Sequence, residues 1–197
     1  VVHNGIIENF DALKEVLARK GHKFITQTDT EVLAHLIEEY FEGDLVEATR
    51  IALSLVEGTY GIAVLSQKTP HQIVVARHGS PLVIGSGEDE NFIASDVSAI
   101  LKHTKQVVYL KDNEMAVVTS KDFSITTIDN IKVTPHIQEI SWSLDMIEKG
   151  GYPHFMLKEI FEQPLTLRDA IRGRLNYVDG TARLSGLNLQ YEQLQHI

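Results

Sequence analysis

Asn4 and Gly5, inside the opening stretch "VVHNGIIENF", set a side-chain amide next to a backbone N–H that no Cβ shields. Two donors side by side at the end of a strand make an oxyanion hole. The competing reading is a type I′ turn, for which Asn-Gly is the favoured pair; it requires a partner strand at once. Instead the chain runs through "IIENFDALKEVL" into a helical pattern. Asp29, in "TQTDTEV", is the second candidate. Flanked by Thr28 and Thr30 ahead of an apolar helix that any of the three could cap, it reads first as an N-cap. A carboxylate at a strand-to-helix junction can also receive a ligand ammonium, through charge-assisted bonds stronger than neutral ones.

Other groups offer less. "GSGEDEN" is rich in glycine but acidic and without Lys, so it repels phosphate and reads as a loop. The 9 His are scattered, none spaced two, three or four residues from another. A His-based metal site would have to be assembled from distant segments, and neither a metal nor a cofactor is expected. His35 falls among apolar helix positions and reads as structural. Lys158, Glu159 and Glu162 read as a solvated helix face with weak pairing. Cysteine is absent, which removes disulfides, thiolate ligands and thiol catalysis from the chain.

The elements that must position these groups follow from periodicity. Asn9 or Asp11 starts a helix with Leu13, Val16 and Leu17 inward, ended by Gly21. A short strand, "HKFIT", leads to a helix with Val32, Leu33, Leu36, Ile37 and Tyr40 on one broad face. Asp44 caps a third helix. From Gly58 the period becomes two: "TYGIAVLS", "QIVVARH", "PLVIGS", "NFIAS", "QVVYL", "EMAVVTS" and "SITTID" are short β-branched runs parted by turn residues. Several are apolar on both faces, as in strands buried between layers. Asp96 caps a short helix, "VSAILKH". Beyond about Gly150 comes a helix interrupted at Pro164, then a polar tail containing "DGTARLSG" that reads as a linker. Helices followed by a run of strands indicate an α+β layered fold.

A chain of 197 residues buries roughly 70% of its unfolded surface, enough for a real core. The net charge of −9 argues against nucleic-acid or membrane-surface partners. No apolar run approaches ~18 residues, so the cytoplasm is the expected compartment.

"HNGIIENFDALKEVLARKGHKFITQTDTEVLAHLI" closely resembles the glutaminase domain of the glutamine–fructose-6-phosphate aminotransferase (isomerizing), or glucosamine-6-phosphate synthase, family. "RHGSPLVIG", "ENFIASD" and "HFMLKEIFEQP" look like later signatures of it, the last leading toward a sugar-isomerase domain. The resemblance implies the αββα four-layer N-terminal-nucleophile hydrolase sandwich of class II glutamine amidotransferases. It implies a type 2 amidotransferase domain over residues 1–150 and a linker toward the isomerase domain over 151–197. It also implies chemistry in which an N-terminal Cys, with its own α-amine as base, attacks glutamine, and the ammonia aminates fructose 6-phosphate. Asn4 and the Gly5 N–H match the oxyanion-hole pair, and Asp29 matches the carboxylate that holds the glutamine α-amino group. The parent of such a domain is expected to be a homodimer.

The nucleophilic Cys and an Arg-bearing "RWATHG" type loop are missing from this chain. It is therefore expected to be a fragment, incomplete at its N-terminus, inactive by itself and marginal in solution with an unclosed sheet edge. Two alternatives are a catalytically dead binding or regulatory module, and another class II amidotransferase with a different acceptor.

Overall fold

The computed structural model describes residues 1–140, 151–171, 175–176 and 181–182. The chain divides into two compact units, Val1–Leu144 and Asp145–Ile197. In the first, strand β1 (Val2–Ile7) is followed by helices α1 (Phe10–Arg19), α2 (Asp29–Glu39) and α3 (Leu45–Ser54). The helical period gathers Val32, Leu33, Leu36 and Ile37 of α2 onto one buried face, and Leu45, Ala48, Ala52 and Leu53 of α3 onto another. Asp44 caps α3 as expected, its carboxylate accepting the Val46 N–H at 2.9 Å and the Glu47 N–H at 3.2 Å.

The strands that complete the sheets are β2 (Gly58–Leu65), β3 (Ile73–His78), β4 (Val83–Ser86), β5 (Asn91–Ala94), β6 (Gln106–Tyr109), β7 (Glu114–Val118), β8 (Phe123–Thr127), β9 (Lys132–Val133) and β10 (Gln138–Glu139). They form one sheet ordered β1-β2-β3-β7-β8-β9 and another ordered β10-β6-β4-β5, with every ladder antiparallel. Alternation sorts the side chains of the first sheet. Ile62, Val64, Val74, Ala76 and Met115 pack with the helices, while Val75, Ala116, Val118 and Ile125 pack with Ile84 and Val108 of the second sheet. That double burial is why "QIVVARH" carries apolar residues on both faces; each buried Val or Ile contributes about 1.5–3 kcal/mol. The outer face of the second sheet has its own cover. At Gly85 a Cβ would stand 2.8 Å from Ile100 Cδ1 and Thr104 Cγ2, just beyond the 3₁₀ turn Val97–Ala99. The expected helix over "VSAILKH" is thus a single tight turn, capped by Asp96 through the Ser98 N–H at 2.8 Å.

"HKFIT" forms no strand. The N–H groups of Ile25 and Thr26 donate to Glu31 Oε1 and Oε2, both at 2.7 Å, so a side chain takes the place of a neighbouring strand. The Thr26 hydroxyl, ahead of the Ile25 N–H, holds the Glu31 carboxyl down at about 2, against an ordinary 4.5. A depressed carboxyl stabilises the fold fully above its unfolded value and ceases to do so as pH falls through the folded one. Replacement by Glu31→Gln is therefore expected to lower the thermal midpoint at neutral pH. The gap from wild type should close between about pH 4.5 and about pH 2. A gap that stays constant across that window would contradict the bonding.

In the second unit, helix α4 (Phe155–Ile171) continues through Pro164, where the sequence suggests a break. Proline forfeits one backbone bond there, and strong helix formers flank it on both sides. Lys158 and Glu162 pair at 3.6 Å. β11 (Leu175–Asn176) pairs with β12 (Thr181–Ala182); the rest of the polar tail lies outside the described residues, as does the expected boundary at Gly150. Among the described residues no helix is long and apolar enough to cross a membrane.

Candidate functional site

Among the described residues β1 is an edge strand of its sheet, with Asn4 opposite Gly61 and Gly5 opposite Tyr60 of β2. It does not end at the Asn-Gly pair but runs on to Ile7, and no reverse turn forms. Gly5 makes this possible. Its φ of +136° is reserved for glycine, and β2 comes so close that a Cβ would lie 2.1 Å from the Thr59 carbonyl oxygen. Asn4, Gly5 and Ile6 are exposed. Ile7 is buried beneath the helices, and the His3 side chain is 1% exposed.

Asp29 is not the N-cap of α2. Thr28 holds that position, and Asp29 is the first helical residue. Its carboxylate turns back onto β1 instead. Oδ2 accepts the Ile7 N–H at 3.0 Å, and Oδ1 lies 3.7 Å from His3 Nδ1. An edge strand leaves one row of backbone groups without a ladder partner, and Asp29 satisfies one of them. The positive end of the α2 dipole favours a carboxylate at this place. His3 Nδ1 also lies 3.3 Å from Thr30 Oγ1, while its Nε2 is buried without a hydrogen-bond partner. So Asn4 and Gly5 share a strand with the backbone group that Asp29 binds two residues later.

Asn9 holds the N-cap position of α1 as expected, but its side chain makes no capping bond. Its amide donates to the Leu55 carbonyl at 2.9 Å and accepts the Glu57 N–H at 3.0 Å, tying the β1–α1 connection to the segment before β2. His3 and Glu31 are not evident as structural anchors from residue type. For Glu31 a signal existed, since Thr28-x-x-Glu31 has the spacing of a capping box. The carboxylate reaches past Thr28 to Ile25 and Thr26. His3 offered only its parity with Ile7.

The family described as glutamine amidotransferase domain matches residues 1–102. The chain belongs to that family. Three relatives of this amidotransferase domain bear the name glutamine–fructose-6-phosphate aminotransferase (isomerizing). The Chlorobaculum tepidum protein is 50% identical over 199 residues, covering 99% of the chain and 32% of the relative. A Thermus thermophilus protein is 46% identical, covering 100% and 32%. The Thermococcus kodakarensis protein is 49% identical, covering 92% and 31%. The chain thus spans about a third of the length of the curated relatives it matches. Among solved structures, glutamine phosphoribosylpyrophosphate amidotransferase from B. subtilis, complexed with ADP and GMP, overlays 64% of the chain and 28% of its own length. The TM-score is 0.58 at 28% identity. With helices over two stacked antiparallel sheets, the domain has the α+β N-terminal-nucleophile amidotransferase sandwich.

Proposed function

We propose that this amidotransferase domain is the glutaminase part of an enzyme that hydrolyses glutamine and transfers the ammonia to fructose 6-phosphate, giving glucosamine 6-phosphate and glutamate. The observation that carries the site assignment is the Asp29 carboxylate held on β1, the strand that presents Asn4 and Gly5. In this reading the Asp29 carboxylate receives the α-ammonium of glutamine on its solvent side. The Asn4 amide and the Gly5 N–H donate to the oxygen of the γ-carboxamide as it becomes tetrahedral. The attacking thiol belongs to the parent protein outside these residues, since the chain has no Cys. Its sulfur bonds the amide carbon, ammonia departs with the transferred proton, and water hydrolyses the γ-glutamyl thioester. Residues 1–150 form the amidotransferase domain and 151–197 the linker toward a sugar-isomerase domain, in a homodimeric cytoplasmic parent. The relatives' shared name supports the acceptor.

The parent protein with Asp29→Asn tests this. The amide still accepts the Ile7 N–H but has lost its charge. A charge-assisted bond is worth about 1.5–3 kcal/mol, so KM for glutamine is expected to rise about 10- to 100-fold with kcat little changed. An unaltered KM would remove Asp29 from the site. Glutamine binding without ammonia release would favour the binding module, and ammonia release without glucosamine 6-phosphate would favour a different acceptor.

A further inference from the structure

The nine His are scattered along the sequence, yet His22 and His35 meet. His22, in the connection after α1, and His35, in the middle of α2, bring their Nδ1 atoms to 3.1 Å. Glu38 Oε2 lies 3.1 Å from His35 Nδ1 and 3.5 Å from His22 Nδ1. Two imidazole nitrogens and a carboxylate oxygen therefore form a compact triangle. A tetrahedral zinc ion, with bonds of about 2.0–2.1 Å, separates its ligand atoms by about 3.3 Å. The three sides bracket that value.

We propose that His22, His35 and Glu38 form a binding site for a divalent transition-metal ion, best matched by zinc. The surroundings of His22 favour the tautomer that such a site requires. His22 Nε2 lies 2.9 Å from Glu39 Oε2, and that carboxylate is itself held by Lys20 Nζ at 2.6 Å. His35 Nε2 faces Glu31 Oε1 at 3.8 Å. A carboxylate behind a ring nitrogen keeps the proton there, as behind metal-bound histidines, and leaves the lone pair on the opposite nitrogen. Glu39 thus holds the proton of His22 on Nε2 and leaves its Nδ1 lone pair facing the triangle, while a cation there would take the place of the proton that His35 Nδ1 holds beside Glu38. Phe24 packs edge-on to the His35 ring at 4.7 Å and fixes its orientation.

The open side suits a three-ligand site. The Glu38 side chain is 68% exposed, against 13% for His22 and 20% for His35, so water can complete the tetrahedron. The histidine–glutamate set favours zinc over magnesium or calcium, which prefer all-oxygen sites. Bound there, the ion would fasten the α1–α2 connection to α2. The cluster shares no residue with Asn4, Gly5 and Asp29.

Calorimetry of the full chain with zinc chloride is expected to give saturable binding of one ion per chain. Cobalt chloride should give the visible absorption of tetrahedral cobalt, abolished by a chelator. His22→Gln should weaken zinc binding at least about 100-fold, and Glu39→Gln, which leaves the three ligands in place, about 10-fold. His71→Gln, at an exposed position outside the cluster, should change nothing. The opposing reading is a proton shared between imidazolium and carboxylate, which predicts no saturable zinc binding to the wild-type chain. That result, or equal weakening by His22→Gln and His71→Gln, would overturn the site. Should His22→Gln fail to fold, Glu38→Gln at the exposed ligand carries the assignment, and wild-type zinc affinity in that variant would overturn the site.

Discussion

Incubated with glutamine, the 197-residue chain is expected to release no ammonia above the buffer rate. The proposed reaction requires a sulfur nucleophile, and the chain contains no cysteine. Magnitudes make the outcome one-sided. Oxyanion donors of the kind proposed for Asn4 and Gly5 contribute about 10²–10³ in rate, but they act on a tetrahedral intermediate. Without a nucleophile that intermediate has no route of formation, so intact donors and an intact ammonium site restore nothing. The measurement is a coupled glutamate or ammonia assay on chain shown to be folded by circular dichroism, with the parent protein as the positive arm. Saturable, glutamine-dependent release by the chain alone would overturn the thiol mechanism.

Gly5→Ala is expected to lower stability by at least about 3 kcal/mol, a large loss for one methyl group. Two costs add. An L-residue at φ +136° is strained, and the new carbon would stand 2.1 Å from a backbone oxygen of β2. No flexible side chain is there to yield, so the β1–β2 ladder must part. In a domain of this size the thermal midpoint falls by about 10 °C. Gly21→Ala separates the two costs. Gly21 has φ +103° but nothing within 4 Å of its would-be Cβ, so only the backbone cost of about 1–2 kcal/mol remains. Equal losses at the two positions in chemical denaturation would show that the approach of Thr59 has no weight.

Local order was readable along the chain. The caps at Asp44 and Asp96, the inward face of α2 and the two-sided burial of β3 follow from repeat lengths of 3.6 and 2 and from side-chain chemistry. These features depend on neighbours a few residues away, which any reading of the chain contains. Where the period is weak, local pattern does not decide the element. "HKFIT" has the composition of a strand, but Glu31 occupies its backbone donors. Pro164 reads as a break, yet α4 absorbs it.

Residue type and the resemblance of their segments mark Asn4, Gly5 and Asp29 as candidates, and composition alone shows the lack of a thiol. The return of Asp29 to the Ile7 N–H was decided by the docking of α2 against β1, as was its approach to His3. The meeting of His22 with His35 was decided the same way, by a turn after α1 that brings a loop histidine beside the middle of α2. Repeat length reports which face of an element is buried; it is silent on what that face meets. Contacts between residues distant in the chain depend on the relative placement of whole elements, and packing across the core sets that placement.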